Sequence, residues 1–284
     1  ERPVYPTLEK FGLGTKLFII GFFKKLFIAD MISNYSDNVF AHVGIMTGYQ
    51  VWVGVIAYTI QIYCDFSGYT DMAIGMALLL GFHFPVNFRR PYLAFSITDF
   101  WHRWHISLSR WLRDYLYIPL GGNRGGAFKT YRNLMLTMLL GGLWHGASWN
   151  FMIWGGYHGA LLGIERSLGR RKFLQTPSAL LYPLRAVLTF VLVCMGWVFF
   201  RAPGLAEALA YLRGLAGGDW RNTLVTPLSL FLVLFGLALH ALPPRGLQQL
   251  AQRVRHWPAP LVGALGAIGL LLIGAMQPEG VAPF

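Results

Sequence analysis

Charged side chains are scarce in this sequence. They make up 13% of 284 residues, against about 25% in a soluble domain. Acids are scarcer still, with 12 Asp and Glu against 24 Lys and Arg. Cysteine is nearly absent, and Cys64 and Cys194 form neither a disulfide framework nor a metal-binding spacing. A Walker A loop and a dinucleotide fingerprint are missing. The only approach to a Gly-x-Ser-x-Gly elbow, Gly146-Ala147-Ser148-Trp149-Asn150, has no second glycine. These shortages argue against a water-soluble globule, a disulfide scaffold and a serine hydrolase of that type.

Hydrophobic residues, by contrast, reach 55%, with ten tryptophans and a mean hydropathy of +0.47. Disorder is excluded, and a polytopic membrane protein is indicated. The net charge of +12 is read as basic loops facing anionic headgroups, with membrane lipids rather than nucleic acid as partner. The chain opens on Glu1 and shows no signal-peptide pattern. It is therefore expected to be a piece of a longer protein. Residues 1–284 read as one integral domain of about six to nine helices, at roughly 20 residues per span.

Residues 186–200, 224–242 and 259–276 are the clearest spans, since only helix satisfies the backbone in hydrocarbon. The basic loops 165–172 and 245–255 are placed inside and the mixed loop 201–222 outside. Within that mixed loop, 204–215 is an amphipathic stretch suited to the interface. Residues 133–144 and 147–164 form two more spans. Upstream of them Arg113, Arg124, Lys129 and Arg132 are cytoplasmic, so the turn around His145 faces the outer side. Residues 51–63 span, the polar run 64–71 breaks the helix, and 72–82 is too short to cross. That piece is expected to be re-entrant, tilted or packed within protein. In residues 12–28, Lys16, Lys24 and Lys25 are expected to snorkel.

Residues 91–122 do not look like a span. Thr98 or Asp99 suits an N-cap. Trp101, Trp104, Leu108, Trp111 and Tyr115 then recur at helical spacing as one aromatic stripe. Two readings stand: an interfacial helix, or a polar chamber faced by Asp99, His102 and His105. The glycine-rich stretch 121–126 is either a turn or a backbone nest for a phosphate. Four of the eight histidines, at 102, 105, 145 and 158, fall mid-chain. Histidine titrates near neutrality and can take a proton from a hydroxyl. His145, beside Gly146 in an expected helix break, is the best placed to reach a cavity. His158 reads as a packed core residue. His102-x-x-His105 has no suitably spaced carboxylate, so no metal is expected. Cys64, followed by Asp65 and with no base nearby, is a poor nucleophile.

The ordered run Cys64-Asp65-Phe66-Ser67-Gly68-Tyr69-Thr70-Asp71, then Phe100-Trp101-His102-Arg103-Trp104-His105-Ile106-Ser107-Leu108, then Arg113-Asp114-Tyr115-Leu116-Tyr117-Ile118-Pro119-Leu120-Gly121-Gly122-Asn123-Arg124, then Gly141-Gly142-Leu143-Trp144-His145-Gly146-Ala147-Ser148-Trp149 resembles the membrane-bound O-acyltransferase (MBOAT) family. It is most similar to the branch of the alginate O-acetylase membrane subunit, near the D-alanine transfer protein of teichoic acid synthesis. The motif core spans about residues 50–166. His102 departs from the arginine expected there in many relatives.

The resemblance implies an all-α polytopic transmembrane helical domain with tilted or re-entrant helices around a central funnel or tunnel. It implies a multi-pass protein of the bacterial inner membrane. It matches His145 to the family's essential histidine and His105 to the second, supporting position. It implies an O-acyltransferase with no tightly bound cofactor. Such an enzyme moves an acetyl group from a cytoplasmic donor, acetyl-CoA or another acyl thioester, toward an exopolysaccharide such as alginate or a periplasmic acetyltransferase partner in a polysaccharide biosynthesis complex. The candidate substrate-binding residues are Asp99, Trp104, Trp144, Ser148, Asn150 and Arg113. Arg89, Arg90, Arg113, Arg124 and Lys129 would favour donor phosphates. Donors to the oxyanion are sought among His105, tryptophan N–H groups and Asn150. The competing readings are a transporter, with Asp65, Asp71 and Asp99 coupling ions, and a scaffold of an export complex.

Overall fold

The first helix, α1 (Leu8–Phe22), begins where the Thr7 hydroxyl accepts from the Lys10 N–H. It runs through a π-helical stretch, Phe23–Ala29, into α2 (Asp30–Ala41). In the computed structural model, which describes residues 7–169, 178–221 and 225–242 with Ala264, every element is helical and no strand occurs among the described residues. The expected span 259–276, the basic loop 245–255 and Arg170, Arg171 and Lys172 lie outside the described residues.

The next helix corrects the sequence reading. Residues 51–82 do not break at the polar run. Instead α3 (Gly48–Leu79), opened by a Thr47–Gln50 capping box, continues for 32 residues, about 48 Å at 1.5 Å per residue. The acids do not interrupt it because α1 and its π extension bring cations to them. Lys24 Nζ lies 2.6 Å from Asp71, and Lys25 Nζ lies 2.5 Å from Asp65 and 3.0 Å from Asp30. Lys24 and Lys25, expected to snorkel, thus carry ion-pair partners on α2 and α3. Glycine allows this close approach. A Cβ on Gly14 would lie 2.6 Å from the Gly75 carbonyl oxygen, and one on Gly75 would lie 2.5 Å from that of Gly14. Gly21 and Gly68 repeat the contact seven residues along, two helical turns away.

The stretch expected to be one striped helix is two. The N-cap of α4 (Ile97–Arg103) is Ser96, whose hydroxyl accepts from the Asp99 N–H at 3.1 Å, not Thr98 or Asp99. The helix stops because His105 adopts φ 42°, ψ 56°, in the left-handed region. The chain resumes as α5 (Ile106–Leu112) and a π-helical turn, Arg113–Tyr117. A left-handed residue redirects the helix axis, so helical spacing no longer maps to one face. Trp104 enters the core against Phe100 and Trp197, whereas Trp111 and Tyr115 are exposed.

The hairpin of α6 (Ala127–Trp144) and α7 (Trp149–Gly169) forms as expected. Gly142 lies under the Phe151 carbonyl and Gly155 under that of Met138, so the two backbones touch. The glycine-rich stretch before α6 is a turn, not a nest. The N–H groups of Gly121, Gly122 and Arg124 bond within the turn, and the Asn133 amide donates to the Leu120 and Gly122 carbonyls.

The expected span 186–200 lies within α8 (Leu181–Arg201), the one helix among the described residues long and apolar enough to cross a membrane. The amphipathic stretch becomes α9 (Leu205–Leu215). Its Tyr211 stacks on Phe40 and donates to the Val51 carbonyl, so this face packs against protein. Residues 224–242 contain α10 (Pro227–Ala241). Its C-terminal carbonyls, of His240 and Ala241, are capped by Arg90, which is thereby removed from any anion site. Between these helices lies one apolar core holding Ile28, Val55, Phe100, Trp104, Trp154 and Trp197.

Candidate active site

His145 is the C-cap of α6, its N–H donating to the Gly142 carbonyl at 3.0 Å. Gly146 follows because a Cβ there would meet the Phe151 ring at 2.9 Å. The turn is anchored from α8: Asn150, buried at the start of α7, donates its amide to the Ala202 carbonyl at 2.7 Å. The His145 ring is half-buried in an aromatic box. Trp144, Trp154 and Phe200 stand edge-on to it at centroid distances of 5.2, 5.4 and 5.1 Å. This turn lies between the helices, and desolvation there holds the His145 pKa below its ordinary 6.5.

His105, at the α4–α5 break, approaches the same tryptophan. Its ring stands edge-on to Phe66 at 4.7 Å and lies 6.4 Å from Trp144. Trp144, largely exposed, is thus within ring-contact distance of both imidazoles. Burial, with a smaller effect from the charge on His145, lowers the His105 pKa to about 4. Both rings are consequently neutral at pH 7, which is the form that accepts protons.

Three cavities lie along α4 to α9 and the segments between them. One of about 590 Å³ is lined by Arg89, Arg110, Arg113 and Arg166, with Trp101 and His102. A second, about 720 Å³, shares Thr98, His102 and Arg166 with it and extends over apolar residues of α7 and α8. The third, about 550 Å³, lies at the α6–α7 turn against Ser148, Asn150 and Gly204. His145 and His105 line none of these three. Between the arginine-lined cavity and His145 run Trp101 and Trp154, their rings 5.8 Å apart, and His158. Their ring nitrogens are buried without a hydrogen-bond partner among the described residues.

The residues singled out from sequence divide accordingly. His145, His105 and Trp144 come together. Ser148 and Asn150 flank the turn, with the Ser148 hydroxyl accepting from the Asn150 N–H at 3.3 Å. Arg113 lines the arginine cavity and pairs with Asp114. Asp99 caps its own helix through the Phe95 N–H, pairs with Arg103 and faces the apolar cavity. Trp104 is a core residue, 4% exposed. The chamber expected to gather Asp99, His102 and His105 does not form, because the break at His105 turns that ring away from His102. Asp65, Asp71 and Asp99 each hold a basic partner, so none is the unpaired carboxylate an ion-coupling site needs. Sequence reasoning missed Asn87, Phe200 and Arg166. Asn87 meets His105 across 18 residues, and no local pattern marks such a contact.

The model of the membrane-bound O-acyltransferase family matches residues 1–202. A probable alginate O-acetylase of Azotobacter vinelandii is 55% identical over 215 residues, covering 75% of this chain and 42% of that protein. Its counterpart in Pseudomonas aeruginosa is 54% identical over 216 residues, covering 76% and 41%. A peptidoglycan O-acetyltransferase of Helicobacter pylori is 46% identical over 215 residues, covering 75% and 40%. The chain thus spans less than half the length of these relatives.

Proposed function

Because this chain belongs to the membrane-bound O-acyltransferase family, we propose that it is the acyl-transferring part of a bacterial inner-membrane enzyme that passes an acetyl group from a cytoplasmic thioester toward an exopolysaccharide. The acceptor is the glycan, alginate being the first candidate, or a periplasmic acetyltransferase that serves it. The observation that carries this reading is the meeting of two neutral imidazoles, His145 and His105, at the ring of Trp144.

His145 acts as general base. It takes the proton of the acceptor hydroxyl as that oxygen attacks the acyl carbonyl. The carbon–sulfur bond breaks, and the proton on His145 passes to the departing thiolate, so no net proton is released. The arginine cavity binds the phosphates of the donor. Arg166 lines it, with Nε buried and unpartnered among the described residues. From there the buried nitrogens of Trp101, Trp154 and His158 offer hydrogen-bonding groups to a polar arm extending toward His145.

The reading is tested by supplying labelled acetyl-CoA to membranes holding the full-length protein and following label into polymer or partner. Absence of transfer by the wild type overturns it. In the same assay Arg166→Gln is expected to raise KM for acetyl-CoA by about tenfold with kcat nearly unchanged, as for binding common to ground and transition states. An unchanged KM would place the phosphates elsewhere. Acidification gives a second measure. The neutral imidazole is the active form, and its pKa lies below 6.5. Transfer is therefore expected to stay flat from pH 8 to 7 and to fall with a midpoint below 6.5. A midpoint above 6.5 contradicts a desolvated base.

A further inference from the structure

Asn87 lies in the extended connection between α3 and α4, and it holds the α4–α5 break by four contacts. Its backbone carbonyl accepts from the Ile106 N–H at 2.9 Å. Its side-chain oxygen Oδ1 faces the Ser107 N–H at 3.1 Å, the Ser107 hydroxyl at 3.0 Å and the His105 Nδ1 at 3.3 Å. The adjacent bond from the Arg89 N–H to the Arg103 carbonyl, 2.9 Å, ties the same connection to the end of α4. Together these bonds hold His105 in the left-handed region, where a non-glycine residue is strained.

The orientation of the amide follows from its partners. A backbone N–H can only donate, so the group facing Ser107 N must be the amide oxygen. The Ser107 hydroxyl donates to that oxygen and turns its lone pairs toward His105 Nδ1, 3.4 Å away. Both neighbours of Nδ1 are therefore acceptors, and Nδ1 must carry the hydrogen. A neutral imidazole has one N–H, so Nε2 is bare.

We propose that Asn87 is a positioning residue that fixes His105 as the Nδ1–H tautomer, so that Nε2 accepts a hydrogen bond from a second hydroxyl of the acceptor, neighbouring the one that His145 deprotonates. The inference rests on the acyl-transfer reading above and narrows it. A bare Nε2 does not donate, which removes His105 from the oxyanion's donors and leaves tryptophan N–H groups and Asn150.

The test is a double-mutant cycle in the full chain, in membranes, with acetyl-CoA as donor. Asn87→Asp keeps an acceptor for Ser107 and for Nδ1 but adds a charge that favours the imidazolium, in which both nitrogens donate. The groups facing His105 are Phe66 of α3, Ser107 of α5, and Trp144 with the titratable His145 of the α6–α7 turn, and among the described residues no other charged group acts on it. The expected result at pH 7 is a fall in kcat of about tenfold or more, with KM for acetyl-CoA unchanged and activity regained as pH rises. In a His105→Ala background the same substitution is expected to change kcat less than twofold. If Asn87→Asp lowers kcat equally in both backgrounds, or leaves wild-type kcat and pH profile intact, the proposal is overturned and the histidine reading stands. If His105→Ala alone keeps full transfer, it is the underlying reading of His105 that falls. Should Asn87→Asp fail to fold, Asn87→Thr, which keeps a side-chain acceptor oxygen, replaces it. Its expected loss in kcat again vanishes in the His105→Ala background, and persistence of the loss overturns the proposal.

Discussion

His145→Ala abolishes acetyl transfer: kcat/KM is expected to fall by about 10²–10⁴, the range for losing a positioned general base, while the protein still reaches the membrane folded. The ring touches Trp144, Trp154 and Phe200 at its edges, but the turn is held by other groups. The Asn150 amide bonds to the Ala202 carbonyl, and the backbone N–H groups of His145 and Gly146 bond to the carbonyls of Gly142 and Leu143. Alanine keeps those bonds. Detergent-solubilised protein should therefore elute at the wild-type position in size exclusion and bind acetyl-CoA with unchanged affinity, because the arginine cavity is lined by none of these residues. Wild-type acetylation by His145→Ala would end the proposed chemistry. Loss of both transfer and folded protein would instead assign the ring a packing role.

Gly155→Leu removes the folded protein. At Gly155 a Cβ would meet the Met138 carbonyl oxygen and the Leu139 backbone, which cannot swing aside as a side-chain tip can. Overpacking typically costs about 1–3 kcal/mol even where side chains can yield. Here α6 and α7 must separate, and Gly142, pressed on the Phe151 carbonyl, loses its contact as well. Since the α6–α7 turn carries His145, any protein that does fold is expected to be inactive. Gly156→Ala is the control. Its nearest neighbour is the tip of Leu139 at 3.5 Å, an ordinary contact, so stability is expected to be unchanged or slightly raised by alanine's helix propensity. Thermal unfolding in detergent compares the two positions. If Gly155→Leu melts and acetylates like the wild type, the backbone contact between the helices is not what positions the turn.

The α6–α7 hairpin was legible because each helix carries its own apolar pattern and the intervening Trp144-His145-Gly146-Ala147-Ser148 cannot continue a helix without cost. Two features defeated the same reasoning. In α3 a polar run looks like an interruption until its counter-ions are placed, and these, Lys24 and Lys25, are 47 and 40 residues from Asp71 and Asp65. At Trp104-His105 the reverse holds. The spacing of Trp101, Trp104, Leu108, Trp111 and Tyr115 is helical, yet the backbone turns because Asn87 stabilises a strained residue from 18 positions away. Local propensity lost to tertiary hydrogen bonding in both places.

Composition, hydrophobic runs and the ordered motifs are properties of neighbouring residues. From them alone follow the helical class, the membrane character, the family, and the choice of His145 and His105. The pairing of Lys24 and Lys25 with Asp71 and Asp65, the meeting of both imidazoles at Trp144, the tautomer imposed by Asn87 and the gathering of four arginines around one cavity came only with the folded chain. The reason is physical: burial and hydrogen-bond partnership are relations between distant segments, and they exist only once packing has brought those segments within a few ångströms.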